Sequence, residues 1–131
     1  MSDTRQPAIR VTLLPRDTNP HGTIFGGVIL SYIDQAGAVG AHLLGLTKVV
    51  TVSMKEVVFH EPVFVGDLIS FYADVTRIGR TSITLRVEVE ARRTGCPDPC
   101  QVTDAEITFV QVDEHRRPLP IADDVRAAAG L

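Results

Sequence analysis

Asn19, Gly22, Gly26, Gly27 and Asp34 are the residues of this chain whose types and spacing suggest chemistry. They lie in one stretch, Asn19-Pro20-His21-Gly22-Thr23-Ile24-Phe25-Gly26-Gly27, which runs into Val28-Ile29-Leu30-Ser31-Tyr32-Ile33-Asp34. A glycine pair opening a helix leaves free backbone N–H groups at the positive end of the macrodipole, where a developing anion is stabilised. Without a Cβ, glycine also lets a ligand come close. The same pair serves equally well as a tight entry turn. Asp34 lies two turns in and offers a carboxylate that can act as base or nucleophile. It shares a helical stripe with Ser31, Gln35, Ala38 and His42, so an ordinary solvated face is the competing reading. Asn19 can position a reactant through its amide or close an Asx-turn before Pro20.

The elements that must hold these groups follow from periodicity. Ile9–Leu14 reads as a strand stopped by Pro15. Phe25–Leu44 reads as a helix, with Gly22 and Thr23 as cap candidates and Gly45 just past its end. Its surface is apolar around most of the circumference, the pattern of a buried central helix. Gly37 and Gly40 cost helix propensity, so something must approach the helix closely there, such as a sheet wrapped around it. From Lys48 onward the chain is β: Lys48–His60, Leu68–Ile78, Thr81–Arg93 and Val102–Val112. One strand, one long helix and four antiparallel strands predict an α+β fold in which a curled sheet of about five strands wraps the helix. The expected single domain covers residues 8–120, with flexible termini at 1–7 and 121–131. An open sheet edge and a partly covered helix argue for a dimer.

Composition narrows the function classes. With 131 residues, 44% hydrophobic and 22% charged, the chain has the make-up of one soluble globular domain. A net charge of -3 and no Trp argue against a nucleic-acid partner. No apolar run reaches the ~20 residues of a membrane span, and no signal peptide is legible. Cys96 and Cys100 flank Pro-Asp-Pro without a second ligand pair, so neither zinc nor any other metal is expected. Two thiols without an export signal suggest a cytoplasmic protein.

Asn-x-x-Gly-x-x-Phe-Gly-Gly followed by Asp, here Asn19, Gly22, Phe25, Gly26, Gly27 and Asp34, resembles the signature of the hotdog-fold acyl-CoA thioesterases, in the YciA-like and brain-type subgroup. Val50-Thr51-Val52, Phe59-His60-Glu61-Pro62-Val63, Val65-Gly66-Asp67 and Gly79-Arg80-Thr81-Ser82 extend the likeness over residues 8–120. The resemblance implies hydrolysis of an acyl-CoA thioester, with Asp34 as general base or nucleophile and Gly26 at an oxyanion site. Asn19 would position water or acyl group, and Thr51 would orient the carboxylate or water. Coenzyme A, as part of the substrate and not a cofactor, would lie along Gly27, Val58, Phe59 and His60 and against the hydroxyl-bearing, basic turn Arg80-Thr81-Ser82. His21 and His42 have no nucleophile beside them and are read as non-catalytic.

Gly26 and Asp34 are eight residues apart, or about 12 Å along a helix. One thioester carbon cannot touch both, so two subunits would share each site, in agreement with the resemblance, which also implies a trimer of dimers. The alternatives are a hotdog enoyl-CoA hydratase or dehydratase, with His21 recruited, and a non-enzymatic acyl-CoA sensor.

Overall fold

A computed structural model describes residues 5–131. The elements are β1 (Ile9–Thr12), α1 (Gly26–Leu43), β2 (Val49–Phe59), β3 (Leu68–Ile78), β4 (Ser82–Arg92), β5 (Cys100–Gln111) and α2 (Asp123–Ala128). All strand pairs are antiparallel, and the order across the single sheet is β1-β3-β4-β5-β2. This is the expected strand, helix and four-strand succession. The open edges are β1 and β2. Among the described residues, no helix is long and apolar enough to cross a membrane.

Alternation in β4 and β5 builds the core. Ile83, Leu85, Val87 and Val89 of β4, with Ala105, Ile107 and Phe109 of β5, are all buried. Against them α1 presents Ile29, Ile33, Ala36, Gly37 and Ala41. The glycines anticipated as contact points are contact points. A Cβ on Gly37 would stand 2.8 Å from Phe109 Cε2 and 2.9 Å from Ile107 Cγ2, and one on Gly40 would stand 2.7 Å from Leu85 Cδ2. The helix therefore lies closer to the sheet than any side chain at those positions would allow.

Three expectations change. The N-cap of α1 is Phe25, without a side-chain cap, and not Gly22 or Thr23. Thr23 is spent elsewhere: its hydroxyl accepts from Asn19 Nδ2 at 2.8 Å. The helix is also covered on one stripe only, because a single curled sheet reaches one side of it. The carboxy-terminal stretch, expected to be loose, carries α2. Arg126 donates from Nη1 to Ile78 O at 2.6 Å and from Nη2 to Gly79 O at 2.8 Å, and Ile121 is buried. At the other terminus, residues 1–4 of the expected loose segment 1–7 lie outside the described residues. Arg5 stacks over Tyr72 at 4.3 Å and pairs with Asp74 and Glu88.

The end of α1 is set by Gly45, at φ 99°. Leu46 N–H donates to Ala41 O and Gly45 N–H to His42 O, and both Leu46 and Ala41 are buried. This is a Schellman closure with its hydrophobic contact.

Gly37→Ala is expected to lower folding stability by about 1–3 kcal/mol through overpacking. Gly27→Ala, where the added Cβ meets nothing within 4 Å, is expected to raise it by up to about 1 kcal/mol. Denaturant midpoints check both, and a Gly37→Ala protein as stable as the parent would refute the contact argument.

Candidate active site

Two bulges in β2 aim the side chains that matter. Between Thr51 and Ser53 the register with β5 shifts, leaving Val52 out of the ladder and 54% exposed. Thr51, just before the bulge, donates from Oγ1 to Asp34 Oδ1 at 2.6 Å. That distance is in the short, charge-assisted range. The carboxylate is half-buried and fixed, with Oδ2 free to take a proton or attack. The second shift falls between Lys55 and Val58, where Glu56 adopts φ 54°, a conformation that costs a non-glycine residue energy. Beyond it the Phe59 ring lies over the start of α1, 3.2 Å from where a Gly26 Cβ would stand. The pairs Asp34–Thr51 and Gly26–Phe59 show that α1 and β2 run in opposite directions.

A cavity of about 340 Å³ opens beneath Phe59 at the N-terminus of α1. Ile24, Gly26, Ile29, Phe59, Val63 and Thr103 are among its walls. In the first turn of α1, Val28 N–H donates to Phe25 O at 3.1 Å, while the N–H groups of Gly26 and Gly27 precede the first intrahelical bond. The cavity thus joins an apolar wall to a site for an oxygen bearing negative charge.

Asn19 makes the Asx-turn. Its Oδ1 accepts from His21 N–H at 2.9 Å and Thr23 N–H at 3.2 Å, while Nδ2 donates one hydrogen to Thr23 Oγ1. His21 and His42 are both exposed. His60 also borders the cavity, and its Nε2 lies 2.8 Å from Asp104 Oδ2. Asp104, itself buried, pairs with Arg86 at 2.8 Å and accepts from Gln101 at 3.2 Å.

The single chain brings Asp34 to Thr51, and Gly26 to Phe59 and His60. It does not bring the two groups together. Thr51 pairs with Phe109, and Phe59 with Thr103. Six strand residues separate those partners, or about 20 Å. The Arg80-Thr81-Ser82 turn sits at the Thr51 end, since Ser82 and Val50 both pair with Val110. Gly27 and Val58 are exposed outside the cavity.

Thr103 is one of the lining residues that sequence reasoning missed, with Ile24, Ile29, Glu61, Pro62 and Val63. It is fully buried. In β5 it shares parity with Ala105, Ile107 and Phe109, so it belongs to the helix-facing set. A hydroxyl in that apolar series is the signal that was available. Cys96 and Cys100 are free thiols.

If the Asx-turn holds the loop, Asn19→Ala is expected to cost about 1 kcal/mol. Asn19→Asp, which keeps both Oδ1 contacts, should cost clearly less. Equal losses in urea denaturation would show that the Oδ1 bonds are idle.

Comparison with known proteins places these features. Residues 21–97 match the model of a family described as the thioesterase superfamily. An uncharacterized acyl-CoA thioester hydrolase of Zymomonas mobilis is 40% identical over 116 residues, 88% of this chain and 78% of that one. The acyl-CoA thioester hydrolase YciA of Salmonella typhimurium is 35% identical, over 86% of this chain and 87% of that one. Among solved structures, a hexameric hotdog-fold thioesterase of Campylobacter jejuni superposes with a TM-score of 0.92 at 45% identity, covering 99% of this chain and 100% of that one.

Proposed function

Because the chain belongs to the thioesterase superfamily and has the hotdog fold, we propose that it hydrolyses acyl-CoA thioesters to a free acid and coenzyme A. The observation that carries the reading is the Asp34–Thr51 hydrogen bond. A carboxylate held at 2.6 Å by a neighbouring hydroxyl is oriented, as a merely solvated helix face is not.

As general base, Asp34 takes a proton from water while the water oxygen bonds to the thioester carbonyl carbon. The carbonyl oxygen becomes an oxyanion at the N–H of Gly26. Collapse breaks the carbon–sulfur bond, and the proton on Asp34 passes to the departing thiolate. As nucleophile, Asp34 bonds the acyl carbon directly, releases the thiolate and leaves a mixed anhydride that water cleaves. Neither route calls for a metal or redox cofactor. Asn19 has one Nδ2 hydrogen left for the acyl group or water.

The separation of Asp34 from Gly26 supports a site made by two subunits, with Asp34 of one facing Gly26 and Asn19 of its partner. The β2 edge supplies a surface for pairing: Val50, Val52, Val58 and Phe59 are all exposed. Pairing there buries apolar area and satisfies an open ladder. In such a dimer the Arg80-Thr81-Ser82 turn of one subunit comes to the Phe59 end of the other, and the two together take the coenzyme A. A trimer of dimers agrees with the hexameric state named for the Campylobacter jejuni neighbour. The free thiols suit the cytoplasm.

Asp34→Ala is expected to remove at least about 99% of kcat, a loss in the range typical of a lost acid–base group, while the oligomer stays intact by sedimentation. Near-parental kcat would defeat the assignment. A second measurement tests sharing. Gly26→Pro deletes one N–H at the first helical position, where the backbone suits proline, and its Cβ would press on the Phe59 ring at 3.2 Å. Gly26→Pro and Asp34→Ala chains, each inactive alone, should regain about a quarter of parental activity when unfolded and refolded together, because half the dimers are mixed and one site in each mixed dimer is whole. A mixture that stays inactive places both residues in a site within one chain.

A further inference from the structure

Thr103 Oγ1 is, among the described residues, the buried side-chain nitrogen or oxygen without a hydrogen-bond partner. The residue is 0% exposed and lies between paired neighbours Phe59 and Val89. An unsatisfied buried hydroxyl costs about 1–3 kcal/mol. Valine has nearly the same shape and would avoid that cost. The hydroxyl also breaks the apolar series Ala105, Ile107 and Phe109 on its own face of β5.

Its place in the fold is informative. Thr103 lines the cavity at the N-terminus of α1, with Gly26 at the same cavity. Around these stand the apolar Ile24, Ile29, Phe59, Pro62 and Val63, with His60 and Glu61 also among the lining residues. The cavity therefore has room for an apolar body, with the unpaired Thr103 hydroxyl and the helix N-terminus at Gly26 as donors for an oxygen. The acyl end of an acyl-CoA has that chemistry: an aliphatic chain with a single carbonyl oxygen. On the reading that this protein binds acyl-CoA, we propose that the Thr103 hydroxyl is a second donor to the thioester carbonyl oxygen, acting with the backbone N–H at Gly26. Thr103 is thus a substrate-positioning residue, and its hydroxyl is left unpaired in the ligand-free chain because its partner is the substrate.

The test uses Thr103→Val and Thr103→Ser in the full-length protein, with two hydrolysis-resistant coenzyme A derivatives. One is a ketone analogue, in which a methylene replaces the thioester sulfur and the carbonyl remains. The other is an S-alkyl thioether of equal chain length, which has no carbonyl. Without ligand, Thr103→Val is expected to unfold at a higher denaturant concentration than the parent. It should bind the ketone analogue about tenfold more weakly, the loss of roughly one hydrogen bond, and the thioether as tightly as the parent does. The kcat/KM for acyl-CoA should fall by at least as much. Thr103→Ser should restore both the ketone affinity and the turnover. A lower unfolding midpoint for Thr103→Val would mean that the hydroxyl has a structural partner, and would overturn the proposal. So would equal losses for the two analogues, or none. A parental protein that neither binds the analogues nor releases thiol from acyl-CoA would bring down the thioesterase reading itself. An active parent with an indifferent Thr103→Val would bring down only the role of Thr103.

Discussion

The close seating of α1 on the sheet at Gly37 and Gly40 is the contact on which the other features depend. With no Cβ at these positions, Ile107, Phe109 and Leu85 fill the space directly against the helix backbone. That seating fixes the height and direction of the helix. Its N-terminus then falls beneath Phe59 and beside Thr103, and Asp34 falls within reach of Thr51. A helix held further out by even a methyl group would move both of its working ends at once. The propensity lost in placing glycines mid-helix is offset by dense packing with buried β-branched and aromatic side chains.

The same seating keeps the two working ends apart. A rigid helix separates Gly26 from Asp34, and the sheet separates Phe59 from Thr51 by a similar span. No rotamer change within one chain closes that gap. In the proposed dimer a second copy would cover both the exposed β2 edge and the uncovered side of α1. The β2 bulges belong to this scheme. They direct Thr51 and Phe59 toward the helix and leave valines facing outward along the edge.

Thr103 illustrates how stability and use diverge locally. It stands in a run of four buried residues, 102–105, and among the described residues its hydroxyl is the buried side-chain polar atom without a partner. Such a group destabilises the empty protein and gains its bond only when an acceptor enters. Asp104, next along the strand and pointing the other way, shows the opposite case: a buried carboxylate with every bond made, to His60, Arg86 and Gln101.

The sequence by itself determined the elements from β1 to β5 and their order, though not α2, because periods of 3.6 and 2 are local properties of a chain with a buried face. The strand Leu68–Ile78 agrees to the residue, and the other boundaries agree within one or two. It also marked Asn19, Gly26 and Asp34 as residues worth testing, and their spacing along a helix ruled out a site within one helix. The Asx-turn of Asn19 was weighed there too, but which reading holds depends on where Thr23 points. Thr51 was already a candidate by resemblance, but only the tertiary structure decided that it bonds Asp34 of its own chain, that Phe59 covers Gly26, that α2 is tied down through Arg126, and that Thr103 lines the cavity. The physical reason is the same in each case. Bulges change which side of a strand a residue faces, and pairing between strands far apart in sequence chooses each neighbour. Neither is written in the periodicity of any one segment.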